Sequence, residues 1–233
     1  MMYDRVLIKI SGEILGDGAG MCLAAENMHS VCAHLETVNR LGVQAGIVVG
    51  AGNVMRGATS QFLDRVRADS IGMLGTVVNA LALQNVLFRD FQVQSVICGS
   101  FPIEGMVAKL DPDQIQDAFS KNKLILFAGG TGAPFFSTDT AGVLKALEIN
   151  ANLMIKATKV DGVYDKDPLK FADAKRYETI SYEEILEKKL NVMDWTATSL
   201  AMEHKLPIRV TDIFQDGQLS SIIAGQSVGT LVS

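Results

Sequence analysis

The chain has 233 residues, 48% of them hydrophobic and 20% charged, with a formal net charge of −5. A chain of this length buries a large core without staples, and its composition argues against a disordered or fibrous protein. No block of basic residues offers a nucleic-acid footprint, and Cys22, Cys32 and Cys98 are too few and too scattered for a disulfide framework.

From the N-terminus, Tyr3–Ile10 is β-rich and is preceded by no signal-type segment. With the cysteine usage, this gives the expectation of a reducing, cytoplasmic setting. Glu26–Leu41 places Met28, Val31, Leu35 and Val38 at helical spacing and stops at Gly42, and Val43–Val49 is the next strand. Ser60–Phe91 reads as one long helix or two joined ones. Its uncharged stretch Ile71–Phe88 reaches the lower edge of a membrane span. The polar Thr76, Asn79, Gln84 and Asn85 favour instead a helix buried in a core or a subunit interface, with Gly72, Gly75, Ala80 and Ala82 allowing close approach.

Val93–Cys98 is a short strand. Asp111-Pro112-Asp113 opens a helix to about Lys121, and Lys123–Phe127 is an apolar strand. A helix from Asp139 to about Asn150 and a short strand Leu153–Lys156 follow. Asp161–Lys175 is a polar surface excursion, and Ser181 with Glu184 matches a capping box. Asp194–Lys205 is helical, Leu206–Thr211 is a strand, and Val228–Val232 is a final strand candidate. This alternation predicts an α/β fold, a three-layer αβα sandwich around a mainly parallel sheet, in a single domain spanning residues 1–233.

Ligands of parallel sheets bind at the carboxyl ends of the strands, and four loops there are unusual. Lys9-Ile10-Ser11-Gly12-Glu13 leads into a glycine-rich stretch. It is either an ammonium beside backbone amides that meets phosphate, or an edge lysine before an ordinary loop. Gly50-Ala51-Gly52-Asn53-Val54-Met55-Arg56-Gly57 offers close backbone approach and a guanidinium fork for phosphate, or is a plain strand-to-helix turn. Ala128–Asp139 packs glycines, hydroxyls and a carboxylate around Phe135-Phe136. Those rings are either core or the wall of a flat ligand's site, and Thr138 or Asp139 is also a candidate helix cap. In Thr158–Pro168, Tyr164 could stack on a base and the acids could hold ribose or metal; the alternative is a solvated, charged loop.

No G-x-x-x-x-G-K-[ST] sequence occurs, nor G-x-S-x-G, H-R-D or D-F-G. No Cys-x-x-Cys or paired histidines suggest zinc, since His29, His34 and His204 never fall at i, i+4.

Taken together, the four loops resemble the amino-acid-kinase superfamily and, within it, the bacterial uridylate (UMP) kinases. The strings that carry the likeness are Lys9–Glu13, Val49–Gly57, Asp69–Leu74, Asn79–Ala82, Thr131–Asp139, Lys156–Tyr164, Val192-Met193-Asp194 and Lys205–Val210. The resemblance implies transfer of the γ-phosphate of ATP to UMP, with Mg²⁺ carried by ATP rather than by a dedicated protein site. It also implies a cytoplasmic homohexamer with GTP and UTP as effectors, and no nucleic-acid or membrane partner.

By the same resemblance, Lys9, Ile10, Ser11, Gly12, Gly52 and Arg56 handle the ATP phosphates, and Thr158, Tyr164 and Asp167 the nucleoside end. Ala51, Asp69 and the loop Thr131, Gly132, Ala133, Pro134, Phe135, Phe136, Ser137 and Thr138 take UMP. Lys9, Arg56 and Asp139 are the catalytic set, with Asp139 positioning Lys9. The N-terminal part would mainly bind UMP and oligomerise, the C-terminal part mainly bind ATP. Ala51 stands where the family has Gly, Ala133 where it has Asn, and Asn152 where it commonly has Asp. The alternatives weighed are a superfamily kinase acting on a carboxylate or carbamate, and a non-catalytic nucleotide-binding storage or regulatory protein.

Overall fold

A computed structural model describes residues 3–55, 62–190 and 192–233. In chain order its elements are β1 (Arg5–Ile10), α1 (Ala25–Arg40), β2 (Gln44–Val49), α2 (Arg65–Phe91), β3 (Ser95–Gly99), α3 (Pro112–Ser120), β4 (Leu124–Ala128), α4 (Thr138–Glu148), β5 (Leu153–Thr158), β6 (Thr179–Ile180), α5 (Tyr182–Glu187), α6 (Trp195–Glu203), β7 (Ile208–Asp212), α7 (Gln218–Ile223) and β8 (Thr230–Val232). The strands form one sheet in the order β3-β4-β2-β1-β5-β7-β8-β6. Neighbours are parallel except β7 and β8.

Successive strand residues face opposite sides, and both sides are apolar, as a covered parallel sheet requires. Val6, Ile8 and Ile10 join α1, α2 and α7 in one core; Leu7, Ile125, Phe127 and Met154 join α3 to α6 in the other. The three-layer arrangement expected from the sequence is the one observed.

Caps decide several boundaries. Asp111 and Ser181 close full capping boxes with Gln114 and Glu184. Asp64 accepts from the Arg67 N–H, so α2 begins at Arg65, and it runs unbroken to Phe91; the start expected at Ser60 lies outside the described residues. The short β6 and α7 were not expected. The excursion before β6 holds no regular element among the described residues beyond a Tyr164–Arg176 bridge. Asn152 accepts from the N–H groups of Asp4 and Arg5 at 3.2 and 3.1 Å, a role at the amino end of β1 and away from the strand carboxyl ends.

By length and composition α2 could cross a membrane. Its inner side, with Val77, Ala80, Leu83 and Leu87, packs into the first core. There Asn79 is fully buried and donates to Gly50 O at 2.7 Å. Its outer side exposes Ile71, Leu74, Val78 and Phe88.

Candidate active site

The register of β1 against β5 sets Lys9 beside Lys156. Both point to the second core, and Lys9 is only 7% exposed. Adjacent strands lie about 4.8 Å apart, and like charges directly opposite repel, so this pair needs an anion between its members. The start of α4 supplies it. Ser137 caps that helix, its Oγ accepting from the N–H groups of Asp139 and Thr140 at 2.9 and 3.4 Å. Asp139 then lies in the first turn, where the helix dipole favours a carboxylate.

Asp139 Oδ1 is 2.7 Å from Lys9 Nζ, and Oδ2 is 2.7 Å from Lys156 Nζ. The Lys156 contact is a directed hydrogen bond, and Lys156 also donates to Val192 O at 2.6 Å. The Lys9 contact is equally short. An ammonium carries three N–H groups, so Lys9 can hold Asp139 and still offer a donor to a further acceptor. Burial alone would raise the Asp139 pKa; the two ammonium groups outweigh it and hold the carboxyl below its usual range. Burial lowers the Lys156 pKa, against the opposing pull of Asp139 and Asp194.

Asp194 fastens this arrangement from a third element. It caps α6 by accepting from Ala197 N–H at 2.9 Å. It also accepts from the Ser137 hydroxyl, and from Thr140 Oγ1 at 3.0 and 3.1 Å. The residues that start α4 are thus tied to the residue that starts α6.

Two clefts flank the Lys–Asp–Lys cluster. The first, about 330 Å³, is lined by Ala51, Gly52, Asp69, Thr131, Ala133 and Thr138 among others. The second, about 540 Å³, is lined by Lys156, Thr158, Tyr164, Asp167, Lys188 and Lys189 among others. Lys156 faces the second, while Ser137 and Thr138, next to Asp139, face the first. In the second cleft Thr158 Oγ1 and Tyr164 OH are turned into their own loop, donating to Val160 O at 2.7 Å and Asp161 Oδ1 at 2.6 Å. The Tyr164 pKa is raised by that hydrogen bond, then by burial; the Asp167 pKa is lowered first by the Leu169 N–H.

Most residues expected at the site come together here. Gly12 packs on the end of β2: a Cβ there would lie 2.3 Å from Gly50 O, so only glycine lets the two strand ends meet. Ile10 is buried at the end of β1, and Ser11 precedes a single 3₁₀ turn without capping it. Phe136 and Ser137 join the wall of the first cleft; Gly132, Pro134 and Phe135 share its loop but lie outside that wall. Arg56 and Gly57 lie outside the described residues. Ala51 is buried, and its methyl points at Gly75 of α2, where an added Cβ would be 3.0 Å away. The methyl is therefore absorbed by a glycine across the interface.

Three contributors were missing from the expected set. Lys156 had a signal, a lysine ending an apolar run as Lys9 does, but its pairing depends on strand register. Asp194 reads from sequence as a helix start and as the end of the Val192-Met193-Asp194 string, with no role assigned to it. Asn79 exchanges hydrogen bonds with Asn53 at 2.9 Å and bonds Gly50 O, bracing the loop after β2.

Chemically, two ammonium groups and a helix N-terminus gathered between two clefts suit the charge that accumulates on a phosphoryl group in transfer. Among the described residues no cluster of three or more His, Cys, Asp or Glu side chains could hold a metal ion. Asp139 is already committed to two lysines.

A parallel sheet with phosphate-type cations at its strand ends and no Walker loop defines a class, and sequence comparison agrees with it. The profile of the amino acid kinase family matches residues 4–212, and the chain belongs to that family. It is similar to the uridylate kinase of Thermosipho melanesiensis, 42% identical over 99% of both chains. It is also similar to that of Alcanivorax borkumensis, 41% identical over 99% of this chain and 92% of the relative. The crystal structure of UMP kinase from Bacillus anthracis superposes with a TM-score of 0.96 at 32% identity, covering 100% of this chain and 97% of that one. That from Ureaplasma parvum gives 0.92 at 30%, covering 100% of both.

Proposed function

We infer that the protein is a UMP kinase, transferring the γ-phosphoryl group of Mg-ATP to UMP to give ADP and UDP. The observation that carries this reading is Asp139, held between Lys9 and Lys156 at 2.7 Å from each, at the junction of two clefts. The second cleft takes ATP, with Thr158, Tyr164 and Asp167 at its nucleoside end. The first takes UMP, with Asp69 and the 131–138 loop around the sugar and base. The N-terminal part thus mainly serves UMP and the C-terminal part mainly ATP.

A phosphate monoester is already a nucleophile near neutral pH, so the site needs alignment and charge neutralisation more than a general base. Lys9, with Arg56, neutralises the transferring group; Asp139 keeps Lys9 and Lys156 in place. Ser11, Gly12 and Gly52 bring backbone amides to the polyphosphate.

The enzyme works in pyrimidine nucleotide synthesis in the cytoplasm, as a homohexamer responsive to GTP and UTP. The exposed Ile71, Leu74, Val78 and Phe88 of α2 support assembly through that helix. Light scattering is expected to give a mass several times that of one chain. The test of function is ADP release from Mg-ATP with UMP, CMP, AMP, aspartate, N-acetylglutamate or carbamate as acceptor. Turnover with UMP supports the reading; turnover only with a carboxylate or carbamate, or with none, contradicts it.

A further inference from the structure

Asp69 stands one turn after Arg65 on α2, and its Oδ2 is shared. Arg65 Nε donates to it at 2.7 Å and the Phe135 N–H at 2.8 Å. Asp69 Oδ1 has no partner among the described residues, and Asp69 and Arg65 both line the first cleft. The Arg65 guanidinium carbon also lies 5.7 Å from the Phe135 ring centroid. Phe135 has a φ of 72°, a left-handed conformation that a phenylalanine adopts only when its surroundings hold it there. One arginine therefore fixes a carboxylate on α2 and, through it and its own stacking, a strained loop from the far side of the cleft.

We propose that Arg65 is a specificity-determining positioning residue that makes this site select ribonucleoside over 2′-deoxyribonucleoside monophosphates. The proposal rests on the nucleoside monophosphate reading above. Arg65 and Phe135 occupy Oδ2 and stop the carboxylate from turning, so Oδ1 is left as a pre-set acceptor for a sugar hydroxyl. A site built around such an acceptor discriminates against an analogue that lacks the donor, because the carboxylate, its side chain only 13% exposed, then loses a hydrogen-bond partner in the filled cleft. A mobile carboxylate could turn away to find another partner and would discriminate less.

The experiment compares wild type, Arg65→Ala, Arg65→Gln and Arg65→Lys by calorimetric binding of UMP and dUMP, by kcat and KM for each, and by thermal melting. Wild type is expected to favour UMP. Arg65→Ala should weaken UMP binding about tenfold, the scale of one charge-assisted hydrogen bond, while changing dUMP little. The loss should fall on KM more than on kcat. Arg65→Lys, still able to reach Asp69 at i, i+4, should recover most of the preference. If Arg65→Ala does not fold, Arg65→Gln against Arg65→Lys makes the same comparison.

An unchanged UMP-to-dUMP ratio overturns the proposal, as does an equal loss for both nucleotides accompanied only by a lower melting temperature. Wild type that binds UMP without turning it over contradicts the kinase reading while the binding ratios still test Arg65. Wild type that binds neither nucleotide overturns both.

Discussion

Lys9 and Lys156 are register partners on adjacent parallel strands, with their ammonium groups on the two oxygens of one carboxylate. The sheet itself thus builds a doubly cationic spot, and α4 delivers the anion that makes it tolerable. Lys9→Ala should lower kcat by ~10²–10³, the usual effect of losing one preorganised transition-state contact, with a much smaller change in KM for UMP. Steady-state kinetics with UMP varied at saturating Mg-ATP checks this.

The same cluster sets a pH dependence of stability. The folded-state pKa of Asp139 is lowered, so its contribution is fully present above the ordinary carboxylate value of about 3.8 and is lost as pH falls through the lowered folded value. Asp139→Asn leaves two lysines without their counter-ion and should cost about 3–5 kcal/mol near neutrality. Urea unfolding from pH 7 down to pH 3 should show the gap between wild type and variant narrowing only at the acid end.

Ala51 and Gly75 should be coupled. Gly75→Ala adds helix propensity of up to about 1 kcal/mol but drives its Cβ to 3.0 Å from that of Ala51. In an Ala51→Gly background that contact is gone, leaving only the Val54 side chain at 3.1 Å to be displaced. A double-mutant cycle by denaturant unfolding should find Gly75→Ala more favourable in that background than in the wild-type chain.

The tie between Ser137 and Asp194 predicts a linked loss. Ser137→Ala removes the cap of α4 and one donor to Asp194, for about 1 kcal/mol of stability. Because the same serine sets the start of the helix that carries Asp139, kcat should fall with it. Melting and kinetics on one preparation would show both; lost stability at full turnover would separate the cap from the site.

Much of this was legible in the chain because it is local. The apolar runs of β1, β2 and β4, the capping box at Ser181 and the caps at Asp111 and Asp194 are written within a few residues of where they act. The glycine loops and the Lys9 and Asp139 signals were equally local. What escaped was set by tertiary structure. The pairing of Lys9 with Lys156 follows from strand register, and the Asp69–Phe135 bond from a loop folding back on α2. The role of Asn79 depends on its burial against Gly50. The six-residue α7 is preceded by Gly217, at the cap position with a positive φ and no capping side chain, so it left no start signal.

The most direct test is a crystal structure with UMP and a non-hydrolysable ATP analogue, with Mg²⁺. The account predicts a γ-phosphate within hydrogen-bond distance of Lys9 and a UMP phosphate facing it from the first cleft. A triphosphate bound remote from Lys9 and Lys156, with the Lys–Asp–Lys cluster touching neither nucleotide, would contradict it.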